Sequence, residues 1–538
     1  MGAPLGCAQI LIYGDFMNDK IDRLTASLSA AVCLCYLAVF CIINFCGFCR
    51  FCTPDMYSDV YLSTVMWETG SIFPENWIFG NQFYVVSTPV LAALFYGLCG
   101  SANLAMVLAT TVMTALILLS FFWMVRPFAS RSQILLGMAV LLGSVFGAEI
   151  VTTIEGQIFY LMASYYAGYL ITLFVVFGDY TRALAAAPGI PSLLLALVLS
   201  FCTGMQSLRQ TALMTLPLVG FESIRLLLQW KGRNGNLRWN WQATLRVGLY
   251  AIANLAGRVA IKLLNPNCVT MYGKLTFNSL KRLPELLFTC LRCIRSISGL
   301  KYLWPGTILL GITALVLVSI VGISLYGQLR RPGKRDGLEL LLMLFVCSIL
   351  CVLSISVVVN IYTRSIYIFP WYPMAAVAVM ILAGKCPENR KRLLTVLTLT
   401  VLMANLVLSY VPTARKACEA EQPPQQEVAQ YLMDEGYDIV YGPWMPVAEV
   451  AVWTDGQVAA GSWHQNICEV IPYITPTDIF TEADNARACY LTTNAGEEEA
   501  LLTYAADSGG SMTLVKRFEE TGFALYVCDK QLMHFPQS

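Results

Sequence analysis

Residues 50–81 read RFCTPDMYSDVYLSTVMWETGSIFPENWIFGN and follow a long apolar run at the start of the chain. The punctuation of a short helix is legible in this stretch. Thr53 is a good N-cap, Pro54 suits the first helical position, and Gly70 is well placed to end the helix. The stretch therefore predicts a helix that begins just after the first apolar run, at the mouth of whatever that run belongs to.

The composition of the whole chain identifies what surrounds this helix. Of the 538 residues, 57% are hydrophobic and only 13% are charged, too few charges to cover a soluble protein of this size. Apolar runs of about 20 residues recur along most of the chain, as expected of membrane-spanning helices. The net charge of +1 lacks the basic excess of a nucleic-acid-binding protein. The sequence predicts an all-α polytopic membrane bundle, with membrane lipid as a partner and no nucleic acid.

Eleven apolar runs are long enough to be membrane helices. They lie near residues 24–48, 101–125, 133–150, 157–177, 190–205, 211–229, 243–264, 302–327, 338–360, 366–384 and 393–411. The segment 83–99 is also apolar, but it is short and carries Pro89, so it is predicted to be interfacial or re-entrant. The first helix is too long for a signal peptide and lacks a clear cleavage site, so it is expected to stay in the membrane.

Basic residues in the loops set the predicted orientation. If 83–99 does not span, the clusters around Arg126, Lys231, Arg330 and Lys385 all fall on the cytoplasmic side, as the positive-inside rule prefers. The N-terminus is then inside and the C-terminus outside, in the membrane of the cell. The predicted domains are a membrane domain (1–411) with outer loops 49–100 and 265–301, a linker (412–426) and an extracytoplasmic domain (427–538).

The last 112 residues have the pattern of a small soluble α/β domain. A helix is predicted over 427–435, and strands are predicted over 438–441, 488–492, 513–518 and 524–528. Cys468, Cys489 and Cys528 lie in this domain, where one disulfide is compatible with an outer location. The chain's two histidines, His464 and His534, have no triad or metal partners in the sequence, and no metal site is predicted.

Two carboxylates share one face of the helix in the quoted stretch. Asp55 lies in its first turn, where the helix dipole favours an anion, and Asp59 lies one turn later. A structural interpretation is available, in which Asp55 caps the helix and Asp59 is solvated. The functional interpretation is a pair of acidic site residues at the outer membrane edge.

The stretch resembles the first extracytoplasmic loop of the GT-C glycosyltransferases. The likeness is to the bacterial branch related to protein O-mannosyltransferases and lipid A aminoarabinose transferases. The matching residues are Asp55, Tyr57, Tyr61, Met66, Glu68, Thr69, Gly70, Thr88–Leu91 and Phe95–Gly100. Two departures bear on the donor sugar. Met56 follows Asp55 where the family usually has a second acid, and Ser87–Thr88 replaces the lysine before the family's paired prolines.

The resemblance implies transfer of a sugar from a polyprenyl-phosphate donor to a glycan or protein acceptor outside the membrane. Asp55 is then the expected general base and Asp59 the second carboxylate. Cations are expected at the donor phosphate, where charge grows as it leaves; the candidates are Arg50, Arg209, Arg258, Lys262, Arg292, Arg295 and Arg364. The candidates for acceptor or sugar binding are Tyr57, Glu68, Glu149 and Glu155. No cofactor or divalent metal is expected, and no nucleotide-binding motif is present.

Plainer interpretations stand beside several of these assignments. Arg209 and Arg364 lie in very short outer turns, where an arginine also reaches lipid headgroups. Glu149 and Glu155 flank an outer turn that fits a solvated loop. The outer loop 265–301 is basic but carries an apolar stripe after Pro284, so its helix either anchors at the membrane surface or closes over the donor.

Two other functional classes compete with a glycosyltransferase. A transporter or lipid-sugar flippase would show inverted repeats and broken helices near the membrane midplane, neither of which is evident here. A sensor or assembly factor would use the outer domain to bind a partner. A lipid-accessible groove that reaches Asp55 separates the enzyme from both.

Overall fold

The computed structural model describes most of the chain. The described residues are 5–51, 53–80, 82–145, 160–161, 165–185, 189–231, 241–269, 276–297, 336–359, 364–419, 423–463, 466–471, 474–480 and 487–533. In chain order, the helices before the C-terminal domain are α1 (Leu5–Gly47), α2 (Pro54–Thr69), α3 (Thr88–Cys99), α4 (Ala102–Val125), α5 (Arg131–Leu142), α6 (Ala167–Ala185), α7 (Ile190–Gln206), α8 (Leu216–Lys231), α9 (Trp241–Leu264), α10 (Leu283–Ile297), α11 (Gly337–Val358), α12 (Trp371–Lys385), α13 (Glu388–Asn405) and α14 (Val411–Ala417).

Six helical segments among the described residues are long and apolar enough to cross a membrane. They are Asp22–Gly47, Ala102–Val125, Trp241–Leu264, Gly337–Val358, Ser365–Lys385 and Arg390–Ala417. Each coincides with a run predicted from the sequence. The predicted runs 133–150 and 157–177 are described only in part, and 302–327 lies outside the described residues. The polytopic helical membrane fold is confirmed.

The apolar segment 83–99 forms a helix too short to cross a bilayer. Its helix α3 has 12 residues, or about 18 Å of rise, against a hydrocarbon core of about 30 Å. Ser87 and Pro89 mark its start and Gly100, at φ 69°, ends it. Helix α3 packs against α2 and α4 instead, so the segment stays on one side of the bundle, as its length predicted.

Loop contacts sort the turns of the bundle into two ends. At one end, the Phe79 amide donates to the Asn267 carbonyl at 2.9 Å, and the Phe83 amide donates to the Gln206 carbonyl at 3.0 Å. These bonds join the first outer loop to the 204–210 turn and to the loop after α9. We call this the upper end.

At the lower end, polar contacts join segments predicted to be cytoplasmic. Lys391 forms an ion pair with Asp22, and Lys385 forms one with Glu339. The Gln133 side chain donates to the Met380 carbonyl at 3.0 Å. The two groups of segments are the two that the positive-inside argument separates.

Buried ion pairs join the helices α6, α8 and α9 inside the bundle. Arg246 on α9 pairs with Asp179 on α6, and their side chains are 10% and 0% exposed. On α8, Arg225 pairs with Glu222, which also accepts a hydrogen bond from the Tyr180 hydroxyl at 2.6 Å. Charged groups in a membrane bundle face its interior and pair there because lipid cannot solvate them.

The C-terminal domain is a five-stranded mixed sheet with helices. Its elements are α15 (Pro424–Asp434), β2 (Ile439–Pro443), α16 (Trp444–Trp453), β3 (Ala459–Trp463), β4 (Thr475–Pro476), β5 (Ala488–Thr492), α17 (Ala495–Asp507), β6 (Met512–Phe518) and β7 (Phe523–Cys528). The strand order is β3-β2-β5-β7-β6, in which the first three strands are parallel and β7 is antiparallel to its neighbours. Helix α14 occupies part of the predicted linker, and α15 begins before its predicted end.

The C-terminal domain docks on the upper end. Strand β1 (Trp77–Ile78) in the first outer loop pairs antiparallel with β4 of the domain. The Asn103 amide at the start of α4 donates to the Asp455 carboxylate at 2.7 Å. Helix α16 packs against α2. The domain therefore lies at the same end of the bundle as the two carboxylates.

Candidate active site

Helix α2 begins and ends where its sequence signals place it. The Thr53 hydroxyl accepts a hydrogen bond from the Met56 amide at 3.4 Å, and Pro54 occupies the first turn. Gly70 adopts a left-handed conformation (φ 63°) that favours glycine. Asp55 and Asp59 project from the first turns of this helix at the upper end of the bundle, as the sequence predicts.

The two carboxyl groups have different surroundings. The Asp55 side chain is exposed, yet protein atoms crowd around it, and this partial burial raises its pKa above the ordinary value of 3.8. The Arg364 guanidinium is close enough to Asp55 to oppose part of that rise. Asp55 is thus the accessible carboxyl of the pair, and it faces a cation.

Asp59 is fully buried. Burial raises its pKa well above the ordinary value of 3.8, and the hydroxyls of Tyr84 and Tyr165 lie near enough to oppose part of the rise. Neither carboxyl oxygen accepts a well-aligned hydrogen bond within the described part of the chain. The charge of Asp55 favours the protonated form of Asp59 further. We therefore expect Asp59 to retain its proton more strongly than Asp55.

Arg209 lies on the upper face near Arg364. Its guanidinium stands over the rings of Tyr166, at 5.0 Å, and Tyr367, at 4.4 Å, and donates to the Tyr166 hydroxyl. Tyr367 belongs to the short helical turn Ser365–Ile368, which directly follows Arg364. Two arginines from turns 155 residues apart in sequence (364 minus 209) therefore lie against one group of aromatic rings.

Arg258 extends the same cationic region. It lies on α9, and both Arg258 and Arg209 act electrostatically on the Tyr169 hydroxyl at the start of α6. The Tyr169 ring lies 5.6 Å from the Tyr166 ring. The structure thus brings together Arg209, Arg258 and Arg364. Lys262, one turn further along α9, is exposed at the end of that helix.

Helix α10 places Arg292 and Arg295 beside the Arg364 turn. One face of α10 buries Cys290, Cys293 and Ile297, and the helix packs against Ser365–Ile368. Arg292 is exposed and stands 4.9 Å from the centre of the Phe288 ring. Arg295 is half-buried.

The opposite face of α10 is apolar and uncovered. Its exposed side chains are Leu283, Leu287, Phe288 and Leu291. This is the face that a membrane surface would cover, and it lies at the end of the bundle that holds the carboxylates.

Three other predicted site residues contact the C-terminal domain or its linker. The buried Tyr57 hydroxyl accepts a hydrogen bond from the Ala460 amide at 2.5 Å, so it joins α2 to β3. Arg50 donates to the Glu419 carbonyl. Glu68 lies on the other side of α2 from Asp55, in a cavity of about 390 Å³ against the C-terminal domain.

The remaining predicted site residues, Glu149 and Glu155, lie outside the described residues. Within the described ranges, no three His, Cys, Asp or Glu side chains converge as a metal site would require. The tyrosines at positions 84, 165, 166, 169 and 367 are site neighbours that the sequence did not single out. Only their position near turns at the upper end could have indicated them, because isolated aromatic residues in a membrane protein carry no specific pattern.

Comparison with known proteins supports the fold. No protein-family model matches the sequence, and no curated protein matches it. A similar solved structure is that of ArnT from Cupriavidus metallidurans in the apo state. It aligns with a TM-score of 0.53 and 12% sequence identity, over 90% of this chain and 95% of that chain. The GT-C-type membrane fold expected from the first outer loop is thereby confirmed, and this chain shares its architecture with ArnT over nearly the whole length of both proteins.

Proposed function

We propose that the protein is an inverting membrane glycosyltransferase of the GT-C type. It would move a sugar from a polyprenyl-phosphate donor to a glycan or protein acceptor outside the membrane. The observation that carries this proposal is the pairing of an accessible carboxyl, Asp55, with a nearby cation, Arg364, at the upper end of a bundle with the ArnT architecture. The lipid-linked sugar is itself the activated donor, so the proposed reaction calls for no cofactor or metal.

Asp55 is the proposed general base. The acceptor hydroxyl gives its proton to Asp55 while its oxygen attacks the anomeric carbon, and the bond from that carbon to the phosphate oxygen breaks. Attack opposite the leaving phosphate inverts the anomeric configuration. A raised pKa strengthens a carboxylate as a base, and burial supplies such a rise at Asp55. Asp59 is enclosed by protein, which fits a supporting role.

The donor phosphate would strengthen this base further. Arg364 holds down part of the rise in the Asp55 pKa when the site is empty of donor. A phosphate on Arg364 would screen that cation and add negative charge near Asp55, and both effects raise the pKa of a carboxyl. Donor binding would therefore prepare the base for the acceptor.

Arg209, Arg258 and Arg364 are the proposed phosphate partners. Arginine is suited to this role because its planar guanidinium binds two phosphate oxygens at once. The aromatic rings beside Arg209 hold its guanidinium in place before the donor arrives. Negative charge grows on the phosphate as the sugar leaves, and preorganised cations stabilise it.

Helix α10 is proposed to lie at the membrane surface and to bring Arg292 and Arg295 to the same phosphate. Arg292→Ala or Arg295→Ala should then raise the apparent KM for the donor without affecting membrane insertion. Arg282→Ala is the matched control, because Arg282 is exposed and paired with Glu285 near the start of the helix. Equal donor dependence in all variants would leave α10 as a surface anchor alone.

The proposed orientation has eleven membrane helices, the N-terminus inside and the C-terminal domain outside. The separation of basic lower loops from the upper site supports it. Single cysteines introduced into a background without accessible thiols should be labelled from outside within 423–533 and near residue 267. A cysteine beside Arg126 should not be labelled. Labelling at that position would mean that 83–99 spans and would reverse the orientation.

The activity itself is tested with purified protein and a panel of polyprenyl-phosphate sugars. Release of polyprenyl phosphate together with a glycosylated acceptor, or with slow hydrolysis in its absence, is the expected result for one or a few sugars. Hydrolysis should be reduced by Arg364→Ala and unchanged by a control such as Glu75→Gln in the same outer loop. No turnover and no binding with any lipid-linked sugar would contradict the proposal.

A further inference from the structure

Two exposed cysteines meet where the first membrane helix ends and the C-terminal segment begins. Cys46 lies in the last turn of α1, and Cys418 directly follows α14. Both side chains are exposed free thiols in this structure. They are 372 residues apart in sequence (418 minus 46), so only the fold brings them together.

The backbone holds these two positions close. A Cβ atom placed on Gly47 would lie 3.0 Å from the Cβ of Ala417, so the residues next to the two cysteines are in contact. Helix α14 packs along α1, and the Arg50 guanidinium donates to the carbonyl of Glu419 just beyond. The two thiols lie within hydrogen-bonding range of each other. Disulfide formation needs this kind of approach, with Cβ atoms about 4 Å apart.

A neighbouring thiol is less suited to the reaction. Cys49 lies only three residues after Cys46, but burial and the Asp455 carboxylate raise its pKa to about 12. The thiolate is the reactive form in disulfide exchange, so a thiol with so high a pKa reacts slowly. Cys46 and Cys418 are more accessible than Cys49 and face each other.

We infer that Cys46 and Cys418 form a disulfide that clasps the outer end of α1 to the root of the C-terminal domain. This inference rests on the proposed orientation, which places both thiols in an oxidising compartment. It is independent of glycosyl transfer. The clasp would hold the domain against the helix α2, where Tyr57 and the Ala460 amide already join the two parts.

The oxidant is a disulfide of a thiol oxidoreductase or of glutathione. One of the two thiolates attacks a sulfur of that disulfide and displaces a thiol, which leaves a mixed disulfide on the protein. The second thiolate attacks the protein sulfur of the mixed disulfide and expels the second thiol. The protein pair loses two electrons and two protons, and the co-reactant is reduced to two thiols.

The experiment is a glutathione redox titration of the purified full-length chain. After alkylation and digestion, mass spectrometry should find a Cys46–Cys418 linked peptide whose amount rises with the proportion of glutathione disulfide. The melting temperature should rise over the same range. Cys418→Ser should lose both effects, and Cys99→Ser, which changes an exposed cysteine on α3, should lose neither.

A second measurement is made in intact cells. Free thiols are alkylated before lysis, and the protein is then reduced and labelled with a second reagent. Cys46 and Cys418 should carry the second label. Either the first label on both residues in cells or the absence of the linked peptide from oxidised protein would overturn the inference. Neither result depends on sugar transfer, so the clasp and the proposed activity can fail separately.

Discussion

Replacing Arg246 with methionine should destabilise the bundle because it isolates a buried carboxylate. Asp179 is 0% exposed, and one of its oxygens binds Arg246 and the Tyr250 hydroxyl. Its other oxygen has no hydrogen-bond partner within the described residues. Arg246→Met would leave the Tyr250 hydroxyl as the group that still donates to this carboxylate.

The size of the effect follows from the burial of the pair. Removing one partner of a buried ion pair costs about 3–5 kcal/mol, since the other charge stays in a region of low polarity. Tyr250→Phe removes one hydrogen bond to a charged group and should cost about 1.5–3 kcal/mol. The double variant Asp179→Leu/Arg246→Met removes both charges and should recover most of the loss.

Free energies of unfolding can be measured by titrating the purified protein from mild detergent into SDS and following helicity by circular dichroism. The partly exposed pair Asp22–Lys391 at the lower end provides the control, and Lys391→Met should cost at most about 1 kcal/mol. A loss below about 1 kcal/mol for Arg246→Met would refute the reasoning. So would a double variant as unstable as the single one, since the two charges would then not be coupled.

Three further predictions concern the site. The folded protein retains the Asp59 proton above pH 3.8 while the unfolded chain releases it, so stability should fall as pH rises through that window; Asp59→Asn should flatten this slope in melting curves, and an unchanged slope would contradict the burial argument. Tyr57→Phe should weaken domain docking by about 1–3 kcal/mol, because the Ala460 amide loses its acceptor; faster hydrogen exchange at Ala460 is the readout, and unchanged protection would speak against it. Arg364→Ala should raise the donor KM by about 10-fold or more, and Arg364→Lys by less; equal KM values in steady-state assays would remove Arg364 from the phosphate site.

Local signals in the sequence predicted the framework of the site. Thr53, Pro54 and Gly70 gave the bounds of α2 because caps depend on residues within one turn. The length and the proline of 83–99 indicated a helix that does not cross. Strands β5, β6 and β7 were predicted almost to the residue, because alternating burial and nearby turns mark them locally.

Long-range pairings were not predicted, because no local pattern encodes them. Strand β3 and the two-residue pairing of β1 with β4 depend on neighbours hundreds of residues away. The buried Asp179–Arg246 pair gave no signal, since each residue looks like an isolated charge in an apolar run. Arg209 and Arg364 were chosen as outer-edge arginines, but the tyrosines that orient Arg209 emerged only from the fold.

The central claim is that Asp55 takes the acceptor's proton, and Asp55→Asn tests it most directly. The amide fills the same space but accepts no proton, so the variant should fold and bind the donor while transfer falls by 100-fold or more, on the order of the usual contribution of a general base. Asp59→Asn should impair transfer less, and Glu75→Gln should leave it unchanged. The measurement is single-turnover transfer from a polyprenyl-phosphate sugar by the four purified proteins. Near-parental transfer by Asp55→Asn, or a greater loss in Asp59→Asn, would contradict the assignment of Asp55 as the base.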